Sequence, residues 1–240
     1  NGPFWLGAAV SSRCDIKDVR SVGSAMGKAL VLRRREVEYT GLSVNLILIA
    51  ATFLISWVGF KDRSFLDRWL LNPYQARRKK RLAPYLSYGF VHADFMHLLF
   101  NMITLFFFGQ VMESFFRPHF GGFGYYIFYL GGIVVSVLPS ALPNRNNPHY
   151  ATLGASGAVS AVLFAYILLQ PWSLLYIYFL PVPAILYAVF YVGYSIYLDK
   201  KGGDNVNHSA HLWGALYGVL FTIALEPGVM PAFLAKLGGS

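Results

Sequence analysis

Charged residues are scarce in this chain. Only 13% of its 240 residues are Asp, Glu, Lys or Arg, about half the share found in soluble globular domains, whereas 56% are hydrophobic and 17% aromatic. The chain has a single cysteine, Cys14, which excludes an internal disulfide and any metal site built from several cysteines. These shortages point away from a soluble domain and from a small disulfide-bonded one.

Long apolar runs, by contrast, are abundant. Six nearly uncharged stretches follow one another, at residues 43–60, 95–112, 122–141, 151–170, 174–198 and 209–226. A helix of about 17–25 residues crosses the roughly 30 Å hydrocarbon core of a bilayer, where the backbone must satisfy its own hydrogen bonds. The sequence therefore predicts an all-α, polytopic membrane protein, a bundle of six transmembrane helices. Pro181 and Pro183 should delay the start of the fifth helix.

These spans divide the chain into three parts. We predict one six-span domain over residues 43–226, followed by a C-terminal tail over residues 227–240 without features of its own. Residues 1–42 form an N-terminal segment that is either cytosolic or foreign to the natural protein, and we expect no signal peptide in it. The longest connection, 61–94, should be partly helical and lie in the membrane interface.

The net formal charge is +9, and the basic residues gather in two clusters, at residues 33–35 and 77–81. Basic clusters beside membrane spans usually contact anionic lipid headgroups. We therefore expect membrane lipids as partners, and no nucleic acid.

Carboxylates are missing from the interior of the predicted spans, where only Glu113 and Glu226 come near, both at span ends. A proton-coupled transporter usually needs a buried acid, an aspartyl intramembrane protease needs two aspartates within spans, and a zinc metalloprotease needs a His-Glu-x-x-His pair. The sequence has none of these. We expect no metal and no organic cofactor.

The polar residues that do lie in the spans are the functional candidates, because polar groups are costly in lipid. Ser156 opens the fourth span within Gly154-Ala155-Ser156-Gly157, where the amides of a helix N-terminus can stabilise a developing oxyanion. Small residues in a span more often serve helix packing, so this motif alone is weak evidence for a nucleophile.

His211 strengthens the case for Ser156. Gly214 and Gly218 follow it at i+3 and i+7, a small-residue spacing that lets two helices come very close. An imidazole on such a face can reach a serine on the neighbouring helix. The alternative is a histidine that only hydrogen-bonds between helices.

His97 and Asn101 are spaced i, i+4, so both project from one face of the second span. Both can donate hydrogen bonds to an anionic tetrahedral intermediate. The structural alternative, in which Asn101 only ties two helices together, stays open.

Taken together, three motifs resemble those of the rhomboid intramembrane serine proteases. They are His92-x4-His97-x3-Asn101, Gly154-x-Ser156-Gly157, and Ala210-His211 with Gly214 and Gly218. Their order and separation match the six-span core of that family, so the resemblance covers about residues 43–226.

The resemblance implies roles for individual residues. Ser156 would be the nucleophile and His211 its general base, a dyad without a carboxylate. His97, Asn101 and the Ser156 amide would form the oxyanion hole, and His92 would have a supporting role. The substrates would be transmembrane proteins cut in or near their membrane segments. We also expect a multi-pass protein of a bacterial cytoplasmic membrane, with the 61–94 connection outside the cytosol despite its basic residues.

The sequence departs from the family at two places. Ala83-Pro84 stands where many members carry Trp-Arg, and Ser160 stands where some carry an aromatic that stacks on the base. Two other functions remain as alternatives. One is a rhomboid-like pseudoprotease that binds membrane clients without cutting them. The other is a six-span transporter, for which the expected buried acid and inverted repeat are missing.

Overall fold

A computed structural model describes residues 43–177, 179–203 and 206–239. The predictions for residues 1–42, including the basic cluster at 33–35, lie outside the described residues. The helices are α1 Val44–Lys61, α2 Arg63–Trp69, α3 Pro73–Arg78, α4 Pro84–Ser87, α5 Phe95–Thr104, α6 Gln110–Phe116, α7 Gly124–Ala141, α8 Ser156–Leu169, α9 Ala184–Lys201, α10 His208–Leu225 and α11 Val229–Leu237. A π-helical turn, Leu105–Gly109, joins α5 to α6.

Among the described residues, three helices are long and apolar enough to cross a membrane. They are α1, α7 and the 22-residue helix Phe95–Phe116 that α5 and α6 form together. A fourth candidate is α10 with α11, which are bent by 115° at the break between them. Helix α8 has only 14 residues, about 21 Å, and α9 ends in three charged residues. A multi-pass helical membrane protein is confirmed, whereas the predicted number of six spans is not.

The apolar stretch 174–198 is not one helix, and that prediction was wrong for its first ten residues. Strands β1 Leu174–Ile177 and β2 Leu180–Pro183 pair there as an antiparallel hairpin. Proline has no N–H to donate and clashes with the preceding helical turn, so Pro181 and Pro183 exclude helix at this point. Helix α9 begins directly after them, as the prolines predicted.

The centre of the molecule is α8. Every residue from Gly157 to Leu169 is buried, which is typical of a helix surrounded on all sides. Helices α7 and α10 pack directly against it. The outer helices carry exposed apolar side chains, such as Phe190 at 73% and Leu54 at 64% exposure. Large exposed apolar surfaces of this kind suit contact with lipid chains.

The two carboxylates near the spans have structural partners. Glu113 in α6 accepts hydrogen bonds from the backbone N–H groups of Val44 and Asn45, at 2.9 and 3.0 Å, and pairs with Arg117. It thereby satisfies donors that the first turn of α1 leaves without intrahelical acceptors. Glu226 lies 3.2 Å from His119 Nε2.

The 61–94 connection is partly helical, as expected, and contacts the loop before α8. Leu71 and Thr152 exchange backbone hydrogen bonds of 3.0 and 2.9 Å. Arg77 donates to the Asn146 side chain at 2.6 Å, and Asn72 donates to the Pro148 carbonyl at 3.0 Å. The two connections therefore lie on the same side of the membrane.

The predicted tail, over its described residues 227–239, is structured, although the sequence indicated no feature there. It contains α11, whose Lys236 Nζ donates to the Leu169 carbonyl at 2.8 Å. A cation near a helix C-terminus is favoured by the helix dipole. Trp172 Nε1 in turn donates to the Lys236 carbonyl at 2.8 Å, so α11 packs against the end of α8.

Candidate active site

The structure brings Ser156 and His211 together. Ser156 is the first residue of α8, and His211 lies in the first turn of α10. Ser156 Oγ and His211 Nε2 are 2.7 Å apart, which is a hydrogen-bonding distance. Both side chains come from rigid helices, so this separation is fixed by helix packing and not by a loop.

Glycines account for this close approach. A Cβ added at Gly214 would lie 2.0 Å from the Gly157 carbonyl oxygen, and one at Gly218 would lie 2.2 Å from the Ala161 carbonyl oxygen. The backbones of α8 and α10 are therefore in direct contact at two points one turn apart, as the spacing predicts. Gly157 also faces α7, because its Cβ would lie 2.2 Å from Ser136 Oγ.

Gly154 lies in the tight turn before Ser156. Its φ of +114° is a conformation that residues with a side chain rarely adopt, and an added Cβ would lie 2.6 Å from Cε1 of His97. The imidazole of His97 consequently packs on the backbone of this turn, close to Ser156.

His92 contacts the same turn and lies beside His97, with ring centroids 4.9 Å apart. It is fully buried, with Nδ1 2.9 Å from Ser56 Oγ, and Ser56 Oγ donates to the Phe90 carbonyl. Since the single hydroxyl proton of Ser56 is used on Phe90, Nδ1 of His92 must be the protonated nitrogen. Nε2 then accepts the Ala155 N–H at 3.3 Å. Burial lowers the pKa of His92 well below its ordinary value, which agrees with a neutral ring.

Asn101 is buried one turn after His97 on the same helix. Its side-chain amide donates to the His97 carbonyl at 2.9 Å, which is a bond within its own helix. The amide has a second hydrogen, so the contact agrees with either a structural or an oxyanion-binding role. The oxyanion role of Asn101 stays a prediction.

Several contributors to the site were not predicted from the sequence. The Tyr88 carbonyl accepts the Gly154 N–H at 2.9 Å, and the Leu71 backbone pairs with that of Thr152. The 61–94 connection therefore hydrogen-bonds to the turn before Ser156. Asn207 caps α10 by accepting the Ala210 N–H, while its amide contacts Ser140 Oγ at 2.9 Å. An Asn directly before an apolar helix is a capping signal that could have identified this residue.

Tyr191 from α9 was also missed. Its ring stacks on that of His211, with centroids 6.1 Å apart and planes inclined by 26°, and its hydroxyl lies 2.6 Å from Ser160 Oγ. The aromatic neighbour of the histidine thus comes from another helix, and not from position 160. No periodic pattern within α9 could have indicated this contact.

Metal ligands do not gather around this site. Over the described ranges, no group of three or more His, Cys, Asp or Glu side chains could hold a metal ion.

Comparisons with known proteins agree with the motifs. The model of the rhomboid domain matches residues 79–227, which include Ser156 and His211. The chain is 30% identical over 199 residues to RHOMBOID-like protein 12, mitochondrial, of Arabidopsis thaliana, covering 77% of this chain and 58% of that protein. The chain thus spans less than two thirds of this relative's length. Because the relative is mitochondrial by name, the expected bacterial membrane is not supported. By the extent of both matches, this chain belongs to the rhomboid family.

Proposed function

We propose that this chain is an intramembrane serine endopeptidase that cuts transmembrane proteins, with Ser156 as nucleophile and His211 as general base. The observation that carries the proposal is the 2.7 Å distance between Ser156 Oγ and His211 Nε2, across two helices whose backbones touch. A serine hydroxyl is a weak nucleophile until a base within hydrogen-bonding reach accepts its proton.

The reaction follows from this pair. Ser156 Oγ attacks the carbonyl carbon of the scissile peptide bond while its proton moves to His211 Nε2, giving a tetrahedral oxyanion. As the intermediate collapses, His211 returns that proton to the leaving amine, and an acyl-enzyme on Ser156 remains. Water then attacks the ester carbon while His211 accepts its proton, and the imidazolium gives that proton to Ser156 Oγ as the carboxylic acid product leaves.

The oxyanion would be stabilised by the Ser156 amide with His97 and Asn101. Ser156 begins α8, and the N-cap residue Ala155 has no side-chain acceptor for the first N–H groups of the helix. The His97 ring lies against Gly154 in the adjoining turn, and Asn101 shares its helix face. Donors held in place before the reaction stabilise the transition state without reorganisation.

The substrate class and location rest on family membership. Because the site is carried by apolar helices, we propose that the scissile bond lies in or near a transmembrane segment of another protein. The relative's name also leads us to propose a mitochondrial membrane in place of a bacterial one. Localisation of the tagged full-length protein by fractionation tests this, and recovery outside mitochondria would contradict it.

Covalent labelling tests the activity. The purified chain in lipid bilayers should react with a fluorophosphonate probe and cut a transmembrane substrate. Ser156→Ala and His211→Ala should lose both reactions while remaining folded. Ser114→Ala is a matched control, because Ser114 Oγ donates to the Gln110 carbonyl of its own helix and should react like the wild type.

Two outcomes would change the proposal. Cleavage by folded Ser156→Ala would remove Ser156 as the nucleophile. A folded wild type that captures transmembrane clients but neither labels nor cuts would favour the pseudoprotease.

A further inference from the structure

We propose that Tyr191 is a positioning residue for His211, held in place by a hydrogen bond to Ser160. This inference rests on the proposed function. It assigns a role in the reaction to α9, a helix that contributes no catalytic residue, and to a serine one turn after the nucleophile.

The first step of the argument concerns the orientation of the His211 ring. The hydrogen bond to Ser156 Oγ fixes the position of Nε2 but does not by itself set the plane of the imidazole. Two rings contact that imidazole: His208 edge-on, with centroids 5.8 Å apart and planes at 80°, and Tyr191 nearly parallel to it. The ring of Tyr191 stacks on the imidazole at a centroid distance of 6.1 Å. A stacked aromatic restricts the plane of the ring that it covers.

The second step is how Tyr191 itself is held. Its hydroxyl and Ser160 Oγ are 2.6 Å apart, and its ring packs between Phe164 at 5.4 Å and Tyr187 at 5.7 Å. Ser160 is 4% exposed, and burying a hydroxyl without a partner is costly. The Ser160 hydroxyl therefore favours a single position for the Tyr191 ring.

The third step concerns a chain of contacts that begins and ends on α8. Ser156 contacts His211, His211 contacts Tyr191, and Tyr191 contacts Ser160. Ser160 lies on the same face of α8 as Ser156, since residues four apart are neighbours along a helix. These contacts link α8, α9 and α10, so the orientation of the His211 ring depends on how α9 packs against the other two helices.

The competing explanation is that Ser160 and Tyr191 only hold two helices together. Turnover and stability separate the two roles. In Tyr191→Leu, which removes the ring, kcat per folded molecule should fall about tenfold to a hundredfold, as expected for a misoriented catalytic group, with KM within about twofold of wild type. In Tyr191→Phe, which keeps the ring and removes the hydrogen bond, the fall should be about two- to tenfold.

A double-mutant cycle tests the link to Ser160. If Ser160 acts through Tyr191, Ser160→Ala should lower kcat by the same factor as Tyr191→Phe, and the double variant should be no worse than either. Phe190→Leu is the control, because Phe190 is next to Tyr191 on α9 and is 73% exposed. It should leave kcat per folded molecule within about twofold of wild type, since most substitutions of exposed side chains have small effects.

The outcomes separate the two proposals. A wild type that neither labels with fluorophosphonate nor cuts overturns the proposed function and this inference with it. An active wild type with undiminished kcat in folded Tyr191→Leu overturns only the role of Tyr191. An equal fall in Phe190→Leu and Tyr191→Leu also overturns it, because a general disturbance of α9 would then explain both.

Discussion

The contact between α8 and α10 makes Gly214→Ala a sharp test of the active-site geometry. The new methyl group would lie 2.0 Å from the Gly157 carbonyl oxygen, whereas real Cβ atoms essentially never come within 3.0 Å of another heavy atom. The obstacle is backbone on a fully buried helix, so no side-chain rotation relieves the clash. The two helices must separate by at least about 1 Å.

That displacement is large compared with the tolerance of the dyad. Ser156 Oγ and His211 Nε2 are 2.7 Å apart, and a further 1 Å takes them beyond hydrogen-bonding distance. A misplacement of this size costs about a hundredfold in rate. Overpacking should also lower the free energy of unfolding by about 1–3 kcal/mol.

The assay is turnover of a transmembrane substrate, divided by the folded fraction measured on the same sample. Gly193→Ala is the matched control, because an added Cβ there has nothing within 4 Å, and it should keep its turnover within about twofold, since most changes away from packed contacts have small effects. Folded Gly214→Ala with wild-type turnover would refute the reasoning that direct backbone contact sets the distance between His211 and Ser156.

Three further predictions concern the oxyanion site, the turn before Ser156 and the topology. Asn101→Ala should lower kcat about a hundred- to a thousandfold with KM nearly unchanged; normal kcat with a lowered melting temperature would make Asn101 structural. Burial lowers the pKa of His92 below its ordinary 6.5, so the folded state binds fewer protons and should lose stability as pH falls below about 6.5. The thermal midpoint of His92→Gln should fall less over that range, and an equal slope would contradict the assignment. Lys79→Cys and Asn147→Cys, each in a Cys14→Ser background, should both react with an impermeant thiol reagent added to the same face of the membrane, because the two connections contact each other; reaction from opposite faces would contradict that contact.

Much of the fold could be predicted from composition and local chemistry. A transmembrane span can be recognised in the sequence by its near absence of charged residues, because placing a charged group in lipid costs free energy whatever its neighbours are. Proline acts just as locally, and Pro183 marks the start of α9 at Ala184. The hairpin at Leu174–Pro183 was missed because apolar composition alone does not distinguish a short strand from a helix.

The candidate site could likewise be predicted only in part. Ser156, His211, Gly214 and Gly218 could be selected because motif spacing and helical periodicity are properties of short stretches of chain. The partners of those residues were not predictable. Tyr191 reaches His211 from another helix, and Leu71 pairs with Thr152 across eighty residues of chain. Neither contact leaves a periodic signal in its own segment.

By itself, the sequence determined that this is a helical membrane protein of the rhomboid family and which polar residues its spans carry. Tertiary structure alone decided that Ser156 and His211 meet at 2.7 Å, that Tyr191 supplies the ring against the histidine, and that α11 turns back by 115°. The physical reason is the range of the forces involved. Desolvation and backbone geometry act residue by residue, whereas the distance between two side chains on different helices depends on how every intervening surface packs.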